Sequence, residues 1–412
     1  MNPTTSTSST QATPLAGADS QSAGRISKTI GYYAAFTALG LVGASLGPTL
    51  SGLAEHTQAQ LSEVSFLFAA RSLGYLLGSF QGGRLYDRVP GHPLMAAVLI
   101  IMAVMMTLAP LISLLWLLAA VLLVLGVAEG TVDVGGNTLL VWVHRHKVGP
   151  FMNGLHFFFG AGAFLSPIII AQTVLISGDI AWAYWVLALL MLPVIVLLLL
   201  LPSPTPQVVS KDGLVGQVNH LLVALIALFF FLYVGAEIGF GGWIFTYAVA
   251  LNLSGETTAA YLNSAFWGAL TLGRLLAIPI AARFRPRLIL LGDLLGCLIS
   301  VGIILLWSNS LTATWLGTLG LGFSMASIFP TTISLAERRL TITGKVTGWF
   351  FVGASAGGMS LPWLIGQLFE SIGPQVTMSI IMVDLIVAVG IFVGLILYVT
   401  IAPTRQHLRK FR

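Results

Sequence analysis

The chain has 412 residues, of which 57% are hydrophobic and only 8% are charged. Because a soluble domain carries roughly a quarter charged residues, this composition excludes water as the solvent for most of the chain and predicts a polytopic membrane protein in contact with a lipid bilayer. The net charge of +5 does not indicate a nucleic-acid partner, since the basic residues fall into alternate loops between apolar segments.

The predicted elements begin after a Ser/Thr-rich N-terminal segment, for which we expect disorder and no cleavable signal peptide. Apolar windows then follow one another through the chain, and each is long enough to cross about 30 Å of hydrocarbon as a helix. We place twelve transmembrane spans at residues 28–52, 61–83, 93–112, 115–142, 150–175, 180–202, 219–250, 257–282, 287–307, 311–336, 346–368 and 375–401.

The distribution of Lys and Arg predicts the topology. Apart from Arg71 and Arg274, which lie inside spans, every Lys and Arg lies in or beside alternate loops or a terminal segment. The positive-inside rule then places both termini in the cytoplasm, with the chain spanning the cell inner membrane. The predicted parts are a cytoplasmic tail (1–26), an N-terminal six-helix bundle (27–202), a cytoplasmic linker (203–217), a C-terminal six-helix bundle (218–401) and a basic cytoplasmic tail (402–412).

The two bundles carry traces of an internal duplication. At an offset of about 195 residues, the segment that ends at Arg88 aligns with the segment that ends at Arg283, and Gly78 falls on Gly273. Two further matches follow in the same order at nearly the same offset. Duplicated halves of this kind are related by an axis along the membrane normal, with the substrate site between them near the midplane.

The loop after the second span, residues 82–92, contains a charged motif in which Asp87 is flanked by Arg84 and Arg88 and preceded by Gly83. Glycine lets helix ends approach closely, and the three charges can form a network that holds neighbouring helix ends together as a conformational gate. The motif resembles the signature loop of the major facilitator superfamily, Gly-x-x-x-Asp-Arg followed by Gly. The alternative is a charged turn that only obeys the positive-inside rule.

Three longer segments, at residues 133–167, 233–249 and 350–370, resemble the fucose/galactose/glucose symporter branch of that superfamily, and within it the sodium-dependent glucose transporter-like carriers. The resemblance covers nearly the whole chain except the tail and the linker. It implies an all-α membrane protein with the major facilitator fold, in which twelve helices form two pseudo-symmetric six-helix bundles. It also implies a monosaccharide as substrate and H⁺ or Na⁺ as the coupling ion.

The fourth span carries a polar stripe, because Glu129, Asp133 and Asn137 are spaced four residues apart on one helix face. Carboxylates are costly in hydrocarbon, so this stripe must face protein or water and is typical of an ion or substrate path. The resemblance implies that Asp133 is the ion-linked group; the alternative is a hydrogen-bonded structural acid. Glu129 and His156 are the further candidates for ion coupling. His156, in the fifth span, could share a proton with Asp133 or could be a packed residue in an aromatic cluster.

Five residues of the seventh and eighth spans suit a carbohydrate site. Glu237 can accept hydrogen bonds from sugar hydroxyls, and Trp243 and Tyr247 can stack on a sugar ring. Asn263 and Trp267 could complete this lining, together with the amide on the fourth span. The alternative for the two aromatic residues of the seventh span is the aromatic belt at the membrane surface.

The two arginines inside spans need partners in the bundle. We expect an acidic or carbonyl partner for each; for Arg274, which follows the helix-packing Gly273, we expect structural pairing, and the role of Arg71 stays open. Asp293 and Asp384 lie in peripheral spans, where hydrogen bonds between helices are expected.

No pattern typical of an enzyme is present, and the single cysteine, Cys297, suggests neither a disulfide nor a metal site. We therefore predict a monomeric secondary transporter that uses no cofactor beyond its coupling ion, moving a small polyhydroxylated solute by alternating access. The alternatives are a proton-coupled exporter of drugs or amphipathic metabolites on the same fold, and a membrane sensor without transport activity.

Overall fold

The computed structural model describes residues 15–205, 219–337, 339–340 and 344–401, and the regular elements in these ranges are helical. Short 3₁₀ turns at Ala109–Leu111 and Arg145–Lys147 adjoin α5 and α6. The α-helices are α1 (Leu15–Gly43), α2 (Leu46–Thr57), α3 (Leu61–Val64), α4 (Phe66–Tyr86), α5 (Gly91–Leu108), α6 (Leu115–His144), α7 (Gly149–Ser177), α8 (Ile180–Leu189), α9 (Leu192–Leu200), α10 (His220–Ala250), α11 (Glu256–Arg283), α12 (Pro286–Leu306), α13 (Leu311–Met325), α14 (Ile328–Glu337), α15 (Gly344–Ile372) and α16 (Val376–Ile401).

Each predicted span coincides with one helix or with two helices in succession. In the described ranges, nine helices are long and apolar enough to cross a membrane, and a tenth crossing results if α1 and α2, which meet at a bend of 46°, form one span. The remaining two predicted spans coincide with α4 and α15, in which glycines and polar residues lower the hydropathy. The all-α membrane fold is therefore confirmed.

The first helix begins earlier than we expected. It starts at Leu15, inside the segment 1–26 for which the composition predicts a disordered tail. Alanine and serine in this stretch are compatible with helix geometry, so the helix can extend backwards from the apolar span at little cost. The first residues of that tail, most of the linker and the basic C-terminal tail lie outside the described residues.

The helices form two halves, with α1–α9 in the N half and α10–α16 in the C half. We call the end of the bundle where α4, α6 and α9 terminate the basic end, and the end where α2, α5 and α7 terminate the far end. Exposed tryptophans at the far end, Trp116, Trp182 and Trp307, are typical of an aromatic belt at a membrane surface. The chain is thus a multi-pass membrane protein.

The two halves meet closely at the far end. There α2 packs on α10, where Gly47 lies against the carbonyl groups of Gly241 and Gly242. The N-terminal part of α4 and the short α3 pack on α15, where the Gln367 amide donates to the Ser62 carbonyl at 2.6 Å. In the described part of the chain, α6 has no extensive contact with any C-half helix. The halves are therefore closed at the far end and separate toward the basic end.

Candidate functional site

Two polar pairs join α4 to α6, and we call them the α4–α6 ladder. In the first pair, Arg71 Nε lies 2.8 Å from Glu129 Oε2 and its Nη2 lies 2.5 Å from Oε1. In the second pair, the Tyr75 hydroxyl donates to Asp133 Oδ2 at 2.7 Å. Since four residues separate the pairs on both helices, they lie about 6 Å apart along the helix axes.

Glycines bring the two helices of the ladder together. A side chain at Gly74 or Gly78 would collide with the α6 backbone, and one at Gly126 or Gly130 would collide with the α4 backbone. Small residues at this spacing let two membrane helices approach until their backbones touch. The polar side chains of the ladder therefore project from a tightly packed helix pair, which fixes their positions.

Asp133 lies in the polar stripe that the sequence predicts. Its carboxylate accepts from Tyr75 and, at 3.2 Å, from the Asn137 side-chain amide, which also donates to the Asp133 carbonyl at 2.9 Å. Among the described residues, no Lys, Arg or His nitrogen lies within 4 Å of this carboxylate. Asp133 is half-buried, so it has neutral hydrogen-bond donors and no fixed counter-ion.

Glu129, one turn earlier, is in a different situation. Its side chain is buried, and the bidentate contact with Arg71 compensates its charge. Arg71 Nη2 also donates to the Val42 carbonyl at 2.8 Å, at the end of α1. The arginine thus has both kinds of partner that the sequence predicted for it, an acid and a carbonyl.

His156 is not bonded to Asp133 in the described chain. The ring of Phe36 packs edge-on against the imidazole, with centroids 5.9 Å apart, and the same ring fills the space over Gly136 of α6. His156 is exposed, and the charge of Arg274 acts on it from the opposite half. Of the two interpretations left open by the sequence, the aromatic contact is the one that this conformation contains.

Between α7 and α11 the halves touch from the far end to the middle of the bundle, and we call this contact the α7–α11 seam. At its far end the Gln172 amide donates to the Tyr261 hydroxyl at 2.6 Å. In its middle, Gly160 lies directly against Thr271. Beyond that point, toward the basic end, His156 and Arg274 face the region where the halves separate.

In the C half, the described residues give Arg274 no close acidic partner, although we expected structural pairing for it. No carboxylate oxygen lies within 4 Å of the Arg274 side-chain nitrogens among the described residues, and the guanidinium is half-buried. Glu237 and Tyr233 lie one turn apart on α10, the Tyr233 hydroxyl donates to the Met325 carbonyl at 3.3 Å, and the charge of Arg274 on α11 acts on both, so we call these three residues the C-half polar group. Glu237 itself is 9% exposed. The group has polar atoms available for a ligand.

The predicted aromatic lining lies mostly within helix packing. Trp243 is fully buried, its indole nitrogen donates to the Pro362 carbonyl at 3.0 Å, and its ring lies 5.0 Å from that of Phe369. Tyr247 is also fully buried, which removes it from an exposed belt. Since both lie in the closed far end, this conformation offers neither ring to a solute that enters from the basic end.

Asn263 and Trp267, on α11, pack against α10 at Gly241. The Asn263 amide donates to the Gly241 carbonyl at 2.5 Å, and the Trp267 ring lies against the same glycine. In the described chain, the Asn263 Oδ1 atom and the Trp267 indole nitrogen are buried without hydrogen-bond partners. Both residues are thus close to the point where α2 crosses α10, with hydrogen-bonding capacity to spare.

The charged motif after α4 forms no ion pair in this conformation. Asp87, Arg84 and Arg88 are all exposed, and no Arg or Lys nitrogen of the described chain lies within 4 Å of the Asp87 carboxylate. Arg84 instead lies over the Phe80 ring, 4.9 Å from its centroid, while Gly83 is half-buried. At the open basic end these charges are exposed, and the described residues do not form the expected network in this state.

Of the two aspartates in peripheral spans, one forms the hydrogen bond between helices that the sequence predicts. Asp293 accepts from the Ser327 hydroxyl at 2.5 Å, which joins α12 to the start of α14. Asp384 is buried in α16, and its Oδ2 has no partner in the described chain.

Sequence reasoning missed Tyr75, Val42, Phe36 and Tyr233. A signal for Tyr75 existed, because it follows Arg71 by four residues as Asp133 follows Glu129. Val42 takes part through its backbone carbonyl group, so the identity of its side chain gives no signal for this contact. Phe36 and Tyr233 are aromatic residues among many, so only the packing of the helices identifies them.

Comparisons with known proteins agree with this architecture. A family model described as Major Facilitator Superfamily matches residues 32–362. The sodium-dependent glucose transporter 1 of Xenopus laevis is 34% identical over 355 residues, covering 79% of this chain and 72% of the relative. The sodium-dependent glucose transporter 1A of Mus musculus is 32% identical over 374 residues, covering 82% and 88%.

Among solved structures, the nucleoside transporter NupG superposes with a TM-score of 0.74 at 13% identity, covering 90% of this chain and 99% of the other. At that identity the likeness concerns the fold alone.

Proposed function

The chain belongs to the major facilitator superfamily and is a membrane carrier, not an enzyme, and on that premise we propose that it is a cation-coupled symporter of a small neutral polyhydroxylated solute. A monosaccharide is the first candidate, because relatives at 32–34% identity are named sodium-dependent glucose transporters. The coupling ion is H⁺ or Na⁺.

The observation that carries this proposal is the contrast between Asp133 and Glu129. Glu129 has a fixed counter-ion, whereas Asp133 has only neutral hydrogen-bond donors in the described chain. A carboxylate inside a membrane protein is costly when the surrounding cavity closes, unless a cation binds it or a proton neutralises it. Closure of the halves around the substrate is then favoured by the bound ion, which links the two fluxes.

The solute would bind between the ladder and the C half. Glu237, Tyr233 and the Asn137 amide supply oxygen atoms, and Arg274 supplies hydrogen-bond donors, which together match the alternating donors and acceptors of a sugar. A carrier of amphipathic drugs would need a mainly apolar cavity instead. The polar groups on both sides of the α7–α11 seam favour the hydroxylated solute.

The cycle would proceed by rocking of the halves about this site. The conformation described here is closed at the far end, and the positive-inside rule puts the basic end in the cytoplasm. We accordingly assign it to the cytoplasm-facing state of a monomeric inner-membrane carrier with both termini inside. The charged motif after α4 would then form its network only when the basic end closes.

The decisive experiment is uptake of labelled glucose, galactose and fucose into proteoliposomes under an imposed pH or Na⁺ gradient. We expect uphill uptake of one sugar with one gradient, and we expect Asp133→Asn to abolish the uphill component while exchange of sugar across the membrane persists. Asp293→Asn is the matched control, because that carboxylate serves helix packing. Absence of uptake of all three sugars under both gradients would reject the monosaccharide and favour the exporter.

A further inference from the structure

The first span is broken at a point that Arg71 contacts. Helix α1 ends at Gly43 and α2 begins at Leu46, with a bend of 46° between the axes. The Val42 carbonyl at this break accepts from the Ser45 amide at 3.1 Å, from the Ser45 hydroxyl at 2.8 Å and from Arg71 Nη2 at 2.8 Å. An arginine from α4 therefore caps the carbonyl end of α1, where the helix dipole favours a cation.

The same guanidinium donates to Glu129 on α6 through Nε and through Nη2, which also donates to the Val42 carbonyl. Three helices of the N half are thus joined by one side chain. A planar guanidinium can serve three acceptors in fixed directions, which the single ammonium group of a lysine does not reproduce. The contact is buried, since the side chains of the pair are 12% and 5% exposed.

Helix α2, which follows the break, takes part in the contact between the two halves at the far end. Gly47 of α2 is in contact with the α10 backbone, and a Cβ added there would lie 2.7 Å from the Gly241 carbonyl oxygen and 3.1 Å from that of Gly242. A contact this close depends on the direction in which α2 leaves the break. The orientation of α2 is therefore linked, through Val42, to the Arg71–Glu129 pair.

We propose that Arg71 is a positioning residue that fixes the break between α1 and α2 and thereby seats α2 on the C half, with Glu129 as its permanent counter-ion. Glu129 is then not an ion-coupling group, although its place in the polar stripe suggested that role. Asp133, one turn away on the same rigid helix pair, remains the single coupling carboxylate of the ladder. The uptake measurement of this inference rests on the proposed function, whereas the structural role of Arg71 does not.

The first measurement separates coupling from positioning. In proteoliposomes, Glu129→Gln and Arg71→Lys should lower the maximal rate of glucose uptake by about tenfold or more, because a buried charge loses its partner or its geometry. The ion concentration that gives half-maximal uptake should stay unchanged. Asp133→Asn, in contrast, should remove the dependence on the ion gradient.

The second measurement reports the far end directly and needs no transport. Ser65 is fully buried against Gly366 of α15, so a cysteine at this position is protected while the far end is closed. In the Cys297→Ser background, Ser65→Cys should react with a membrane-impermeant maleimide at least several times faster when Glu129→Gln or Arg71→Lys is also present. Asp293→Asn, the matched loss of a carboxylate in the C half, should leave the reaction rate unchanged.

The outcomes are distinct. If Glu129→Gln shifts the half-saturating ion concentration and leaves Ser65→Cys protected, Glu129 is a coupling group and the inference is wrong. If wild-type protein carries no sugar under either gradient, the proposed function fails, and the alkylation rates still decide whether Arg71 holds the far end closed.

Discussion

The two halves hold their membrane-embedded arginines in opposite ways. In the N half, Arg71 makes close contacts with a carboxylate and a carbonyl. In the C half, Arg274 is half-buried, has no carboxylate within 4 Å in the described chain, and acts on Glu237 and His156 only through its charge. The second and eighth spans are equivalent in the predicted duplication, but at the offset of 195 residues Arg71 falls on Phe266 and Arg274 on Ser79, so the two halves carry their arginines at different positions of these spans.

This difference distinguishes the N half, whose arginine serves the structure, from the C half, whose arginine is available to a ligand. A buried cation that is fully paired contributes to architecture, and removing its partner is costly. A cation without a close partner, next to the space where the halves separate, can donate hydrogen bonds to a solute. The N half thus combines the Arg71–Glu129 ion pair with one carboxylate, Asp133, that has no counter-ion in the described chain. The C half has polar side chains that can contact a ligand.

The largest expected effect concerns stability. Arg71→Gln leaves Glu129 buried without a counter-ion, which should cost about 3–5 kcal/mol, whereas Arg274→Gln breaks no close pair and should cost about 1 kcal/mol or less. Thermal unfolding of the purified protein in detergent measures both. The double variant Arg71→Gln/Glu129→Gln should recover most of the loss, because it leaves no isolated charge. Equal losses for the two single variants would contradict the contrast between the halves.

Substrate affinity should show the opposite order. Arg274→Gln should raise the KM for sugar uptake by about tenfold, since a hydrogen bond from a charged group contributes about 1.5–3 kcal/mol. Glu237→Gln should act in the same direction, with the maximal rate less affected than the KM. The matched control is Arg283→Gln, an exposed arginine at the basic end of the same helix, which should leave the KM unchanged. A change in maximal rate alone would place Arg274 outside the binding site.

Much of the fold was predictable, because hydrophobic length and loop charge act locally along the chain. The twelve predicted spans coincide with helices, and the stripe through Glu129, Asp133 and Asn137 does face another helix. The break in the first span was not predicted. Pro48, in the first turn of α2, lacks the amide hydrogen that would continue the α1 helix across the break, and this local signal was not used; the contact from Arg71, which is distant in the sequence, has no local signal.

The candidate site was predictable in its charged members and less so in its geometry. Composition identified Asp133 and Glu237 as unusual in hydrocarbon, but it could not tell which acid has a counter-ion. Trp243 was expected to face a solute because an aromatic ring near Glu237 can stack on a sugar, yet its indole nitrogen donates to the Pro362 carbonyl of α15. Both outcomes depend on which helix lies opposite, and that is a property of the tertiary packing.

The smallest expected effect concerns the hydrogen bond between Tyr75 and Asp133. Tyr75→Phe keeps the ring and its packing but removes the donor that lies 2.7 Å from the carboxylate. Because that donor stabilises the ion-free carboxylate, its loss should tighten binding of the coupling ion by about threefold to tenfold, equivalent to roughly 1 kcal/mol. The dependence of sugar uptake on ion concentration measures this shift.

The control for this prediction is Tyr33→Phe on α1, whose hydroxyl donates to the Phe151 carbonyl and has no contact with the ladder. We expect it to leave the ion dependence unchanged. If Tyr75→Phe also leaves it unchanged while Asp133→Asn abolishes coupling, the ion does not compete with the tyrosine for the carboxylate. Ion binding would then have to use the Asp133 oxygen that accepts from Asn137, and Asn137→Ala would become the variant that shifts the ion dependence.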